Sequence, residues 1–136
     1  MTRLRMLGLS ALVAALAASS ALADERPIET YYASLSAWDH VDGMGHRLTT
    51  VAAILWQDRA NFHNRHLRDP SDVGDNYFRR KENRRRIPAL VANGRMDDLT
   101  VQRILRAEPR VRVDRYADRL EVTVETNGGA PGPLND

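Results

Sequence analysis

The chain has 136 residues, 20 of them basic and 18 acidic, with two Trp, four Tyr, two Phe and no cysteine. The missing thiols exclude disulfides, thiolate metal sites, cysteine nucleophiles and lipid attachment through an N-terminal Cys. Two of the arginines, Arg3 and Arg5, stand in a leader-like segment without acids, so the remainder balances at 18 against 18 and lacks the cationic excess of a nucleic-acid-binding domain.

That leader is the first predicted element. Arg3 and Arg5 precede an apolar run from Met6 to Ala18, and Ala21-Leu22-Ala23 supplies a small-x-small cleavage pattern. The segment 1–23 is therefore expected to be an export signal cut after Ala23, which implies a periplasmic or secreted protein with no transmembrane segment once it is removed. The rival reading is an uncleaved anchor, because Met6 to Ala23 approaches the ~20 residues that span a bilayer. Gly8, Ser10, Ser19 and Ser20 make it weakly hydrophobic and favour cleavage. Lys81 is the only lysine, an arginine bias expected of a GC-rich bacterial genome. Residues 24–126 are expected to fold as one exported domain, long enough for a single core.

Within that stretch, Tyr31, Ala33 and Leu35 alternate with Tyr32, Ser34 and Ser36, which predicts a strand over Thr30 to Ser36. A helix is predicted from about Arg47 to Arg65, with Leu48, Val51, Ala52, Leu55, Phe62 and His66 on one stripe at three- and four-residue steps. Arg59 falls in the same stripe, where an arginine is either paired with carboxylates or clamps an anion at the base of a cleft. The segment Asp69 to Asp75 reads as a turn-rich loop whose acids form Asx turns rather than a calcium loop, since their spacing does not match D-x-[DN]-x-[DN]-G. A second helical region, capped by Asp75 or Asn76, carries Tyr77, Phe78 and the run Arg79 to Arg86, is limited by Pro88, and stops at Asn93-Gly94. A short helix capped near Asp97 or Asp98 carries Leu99, Val101, Ile104 and Leu105 and is ended by Pro109.

The last element is a hairpin. Val111 and Val113, then Leu120, Val122 and Val124, alternate with polar neighbours, and a turn at Ala117-Asp118 sets Val113 opposite Val122 and Val111 opposite Val124. That register pairs Arg110 with Glu125 and tolerates Asp114 opposite Glu121. A two-stranded hairpin is marginal alone, so the first strand is expected beside it. The fold class expected is α+β: a small antiparallel sheet of about three strands, including the C-terminal hairpin, packed by about three helices. Residues 127–136, rich in Gly and Pro, are expected to be a disordered tail.

All four histidines fall between residues 40 and 66, among Asp39, Asp42, Asp58 and Arg59, and this is the one concentration of reactive side chains. His63 and His66 at i, i+3 could meet one metal ion with a third ligand from Asp39, His40 or His46. Against this, H-E-x-x-H is absent and no glutamate lies between Glu29 and Glu82 to act as a base. There is no G-x-S-x-G elbow and no convincing glutamate pair, so a non-enzymatic protein is the leading expectation, and the sequence leaves any cofactor unknown. The function expected is binding of an unidentified protein or ligand through Asp39, His40, His46, Asp58, Arg59, His63 and His66; a metal-binding protein or metal-dependent enzyme using His40, His46, His63 and His66 is the alternative. A third reading uses Arg79, Arg80, Lys81, Arg84, Arg85 and Arg86 as a patch for anionic envelope components, against a solvated helical face as the plain explanation.

Overall fold

The computed structural model describes residues 25–126; the expected export signal and the expected tail both lie outside the described residues. β1 (Glu29–Ser34), β2 (Arg110–Arg115) and β3 (Leu120–Val124) form an antiparallel sheet in the order β1-β2-β3. The hairpin has the predicted register, with Val113 opposite Val122, Val111 opposite Val124 and Asp114 opposite Glu121. Tyr116 N–H donates to Arg119 O at 2.9 Å and closes it at Ala117-Asp118. The like-charge pair is relieved on both sides: Thr30 Oγ1 and Arg112 Nε donate to Asp114 at 2.5 and 3.1 Å, while Arg119 Nε reaches Glu121 at 2.9 Å.

β1 lies beside β2 as expected, with Tyr31 opposite Val113 and Ala33 opposite Val111. It ends two residues early. Ser36 N–H donates to the Asp39 carboxylate at 3.0 Å, and Asp39 N–H returns to Ser36 O at 2.9 Å, so the chain turns into a 3-10 segment, Ala37–His40. The outer edge of β1 is occupied by the acidic loop, where Val73 N–H donates to Tyr32 O at 2.9 Å. Asp72 accepts from Ser34 N–H at 2.8 Å and from Asp69 N–H at 2.9 Å, and Asp69 accepts from Ser36 Oγ at 2.6 Å, so these acids staple the loop to the strand by long-range bonds instead of the Asx turns expected of them.

Helix α1 (Val51–Ala60) starts four residues later than predicted. Arg47 instead bridges Val41, and Thr50 Oγ1 accepts from Ala53 N–H at 3.1 Å as the N-cap. The helix runs on through a π turn, Asn61–Arg65, and ends at His66, whose φ of 53° is left-handed. His66 is exposed and so leaves the apolar stripe on which it was expected. After a 3-10 turn, Tyr77–Arg79, come the single turn α2 (Lys81–Arg84), then α3 (Ile87–Asn93) and α4 (Asp98–Arg106). Asp75 accepts from Phe78 N–H at 2.6 Å, as the predicted cap. The helical region breaks between α2 and α3, as Pro88 was expected to make it, and Pro88 sits in the first turn of α3, where its missing N–H is harmless. Asp97 caps α4 by accepting from Thr100 N–H at 2.6 Å.

The helices cover one face of the sheet, and Tyr31, Leu35, Ile54, Leu55, Phe78, Ile104, Val113 and Leu120 are among the buried members of one contiguous core. Each such side chain contributes about 1.5–3 kcal/mol, enough to hold the layers without covalent staples. Of the apolar residues α4 carries, Leu99 is exposed and Ile104 buried. The result is the small α+β architecture anticipated. Among the described residues no helix is long and apolar enough to cross a membrane.

Candidate functional site

The residues singled out between 39 and 66 do not meet in one place. Arg59 is fully buried between two rings, its guanidinium carbon 4.0 Å from the Tyr31 centroid and 4.6 Å from that of Phe62. Its Nε donates to Asp58 at 2.7 Å and its Nη1 to Asp75 at 2.9 Å. His63 Nε2 lies 2.9 Å from the same Asp75 oxygen. Burial would raise the Asp75 carboxyl, but hydrogen bonds from His63, Arg59 and Phe78 N–H together hold it below its ordinary range. Burial raises Asp58, and the adjoining Arg59 offsets only part of that. Arg59 is thus the carboxylate-paired kind of core arginine, and it cross-links α1 to the loop before Phe78.

Asp39 and His40 are also buried. Asp39 accepts from Ser36 N–H at 3.0 Å and from Asn61 Nδ2 at 2.8 Å. Burial, with Asp58 nearby, pushes its carboxyl up to about 7. The ring nitrogens of His40 lie 2.9 Å from Ser36 O and 2.7 Å from Ile104 O, which ties the 3-10 turn to the last turn of α4. His46 sits on an exposed turn against Asp42 at 3.1 Å, and His66 is exposed at the helix end. Among the described residues no three or more histidines and acids are grouped so as to hold a metal ion.

The basic run divides as well. Arg79, Arg80, Lys81, Arg85 and Arg86 are exposed, but Arg84 is only 1% exposed. The six-cation surface patch expected from the sequence is therefore five, because the Arg84 guanidinium folds inward. Its Nη1 donates to Phe78 O at 2.7 Å and Arg79 O at 3.0 Å, closing the preceding 3-10 turn.

Arg84 also lines a concavity in which the two regions meet. A cleft of 320 Å³ is lined by Asp42 and Gly43 from the turn, Trp56, Gln57, Ala60, Asn64 and Arg65 from α1 and its π turn, and Lys81 and Arg84 from α2. Its lining includes three cationic residues and one acidic residue. None of Arg65, Lys81 and Arg84 pairs with a carboxylate among the described residues. Arg84 Nε has no partner there, and burial pushes its pKa down despite Asp75 and Glu82. Asp42 is occupied by its own turn: it accepts from Met44 and His46 N–H at 2.8 and 2.9 Å, which keeps its carboxyl below the ordinary range. Gly43 leaves room for Arg65, since a methyl at that position would lie 3.3 Å from Arg65 Nη2.

Trp56, Asn64 and Arg65 were not among the residues the sequence singled out, although a signal for them existed. Ala53, Trp56, Gln57, Ala60 and Asn64 recur at three- and four-residue steps, a second face of α1 opposite the core stripe. Comparisons with protein-family models, with curated proteins and with solved structures found no match to this chain.

Proposed function

We propose that this chain is a small exported binding module that holds an anionic ligand in the cleft between α1 and α2. The observation that carries the reading is Arg84, a buried arginine that lines the cleft with Lys81 and Arg65, its Nη1 held by two carbonyls, its Nε unpartnered and no carboxylate paired with it among the described residues. A buried cation normally has a counter-charge, because its desolvation is otherwise uncompensated. Here the ligand supplies it. At an effective dielectric constant of about 20, one such contact at ~4 Å is worth about 4 kcal/mol before desolvation is subtracted. The lining of cations, amides and an indole suits holding an anion rather than moving protons. Export to the periplasm or exterior rests on the leader pattern at residues 1–23.

Inorganic phosphate titrated into labelled protein and followed by two-dimensional NMR tests this. Shifts are expected at the Trp56 indole and at Arg65, Lys81 and Arg84, weakening as salt is raised. Arg65→Gln combined with Lys81→Gln, both at exposed positions, is expected to weaken binding at least tenfold with the fold intact. Equal affinity in parent and double variant overturns the proposal.

A second reading is favoured by the five exposed cations Arg79, Arg80, Lys81, Arg85 and Arg86. This surface suits an anionic envelope polymer or lipid headgroups. Co-sedimentation with anionic vesicles that is unchanged on replacing Arg85 and Arg86 by Gln refutes it.

A further inference from the structure

The cationic cleft does not end at Trp56. A second concavity, also 320 Å³, is lined by Asp42, Leu48, Thr50, Ala52, Ala53, Trp56, Gln57 and Pro88. The two share Asp42, Trp56 and Gln57, so they adjoin along one face of α1. Their chemistry is opposite. The first half carries Arg65, Lys81 and Arg84; the second is walled by Leu48, Ala52, Ala53, Pro88 and the indole. Alanines at 52 and 53 keep the helix surface low, and Pro88 at the start of α3 forms the far wall.

We infer that the ligand is an amphipathic anion, a compact carboxylate-like head in the cationic half joined to a short aliphatic arm in the apolar half. The inference rests on the cleft being the anion site and names the class of molecule it takes. Charge fixes the orientation: the head is drawn to the end with three cations, and the arm is left beside the end with none. Size favours a small molecule over a protein segment. Each half lies at the lower end of the ~300–1,000 Å³ range of small-ligand pockets, whereas a stable protein partner requires a broad surface of about 800 Å² per side. Trp56 lines both halves, so its indole senses occupation of either.

Three probes dissect the site: octanoate for head and arm together, acetate for the head alone, and 1-octanol for the arm alone. Binding is read by Trp56 fluorescence and calorimetry on the full chain. Octanoate is expected to bind at least tenfold more tightly than acetate or 1-octanol. Ala53→Glu places a carboxylate in the apolar half and sets Glu three residues after the Thr50 cap, a pairing that supports the helix start, so the fold is kept. It is expected to weaken octanoate at least tenfold and acetate less than threefold. Arg65→Gln with Lys81→Gln is expected to weaken both carboxylates.

Octanoate binding no more tightly than acetate, with phosphate binding intact, overturns the amphipathic ligand and leaves the anion site standing. Octanol binding as tightly as octanoate removes the role of the charged head. Loss of every anion, phosphate included, sinks both readings.

Discussion

Gly94→Ala separates two reasons for a glycine at a helix end. The position follows α3, and sequence reasoning assigns such a glycine to a left-handed cap. Its backbone is in fact extended, at φ −85° and ψ −180°, which any residue adopts. What requires glycine is space. A Cβ there would lie 1.7 Å from Leu120 O and 2.8 Å from Leu120 C, both backbone atoms at the start of β3. Restoring even a 3.0 Å contact moves α3 and β3 apart by at least about 1.3 Å. That displaces the buried Leu120 and Val122 from the core. Overpacking costs about 1–3 kcal/mol where side chains can adjust, and here backbone meets backbone, so about 3 kcal/mol or more is expected. With a urea slope of about 1.5 kcal/mol/M, the midpoint followed by far-ultraviolet circular dichroism falls by about 2 M. Gly45→Ala is the control: its φ is +82° and nothing lies within 4 Å, so only the left-handed backbone is penalised, by about 1–2 kcal/mol. Gly94→Ala unfolding within 0.5 kcal/mol of the parent would refute the steric reasoning, since an unstrained glycine replaced by alanine is neutral or stabilising.

Other consequences follow from the buried charges and caps. Arg59→Met leaves Asp58 buried without its counter-charge and Asp75 with only His63 and Phe78 N–H, and is expected to cost about 3–5 kcal/mol by denaturant unfolding; a loss below 1 kcal/mol would contradict the pairing. Asp39, pushed up to about 7, is favoured in its neutral form by folding, so its stabilisation is complete below about pH 4 and is lost as pH rises through 7. Stability is therefore expected to rise by up to about 2.5 kcal/mol from pH 8 to pH 5. Asp39→Asn should flatten that slope, and an equally steep profile in the variant would assign it elsewhere. Asp75 has the opposite sign, its stabilisation being present above the ordinary carboxylate pKa and lost only in stronger acid. Thr50→Ala removes the acceptor for Ala53 N–H and is expected to cost about 1 kcal/mol by thermal or urea unfolding, with no loss indicating that solvent caps α1 as well.

The sheet was legible in the sequence because period-two alternation permits one register for a two-residue turn, and Val111, Val113, Val122 and Val124 pair accordingly. The helical regions and the caps at Asp75 and Asp97 were legible too, but the start of α1 was not. Arg47 and Leu48 continue a helical pattern, yet Arg47 bridges Val41 and Leu48 N–H donates to His40 O at 2.8 Å, contacts made by partners earlier in the chain. The histidine cluster shows the limit of proximity in sequence: His40 faces α4, His63 faces Asp75, and His46 and His66 face solvent. Arg84 was hidden for the converse reason. Six cations in eight residues read as a uniform surface, and nothing local marks the one whose guanidinium turns back onto the carbonyls of Phe78 and Arg79.

The buried charge cluster and the cleft are mechanically one arrangement. Asp75 receives Arg59 and His63 from α1 and its π turn, and with its other oxygen it accepts Phe78 N–H at 2.6 Å. Phe78 in turn offers its carbonyl to Arg84 at 2.7 Å. A chain of short contacts thus runs from the core stripe of α1 to the guanidinium that lines the cleft, while the opposite face of α1 supplies Trp56 and Gln57 to the same cleft. Two walls of the site are therefore set by one helix. Asp75→Asn should consequently do more than lower stability: with a single carbonyl acceptor, position 75 cannot serve Arg59, His63 and Phe78 N–H together, so the 77–79 turn loosens and Arg84 loses its fixed position. Phosphate affinity is expected to fall several-fold under conditions where the variant is still folded. Undiminished affinity in folded Asp75→Asn would show that the cleft is organised independently of the buried charges.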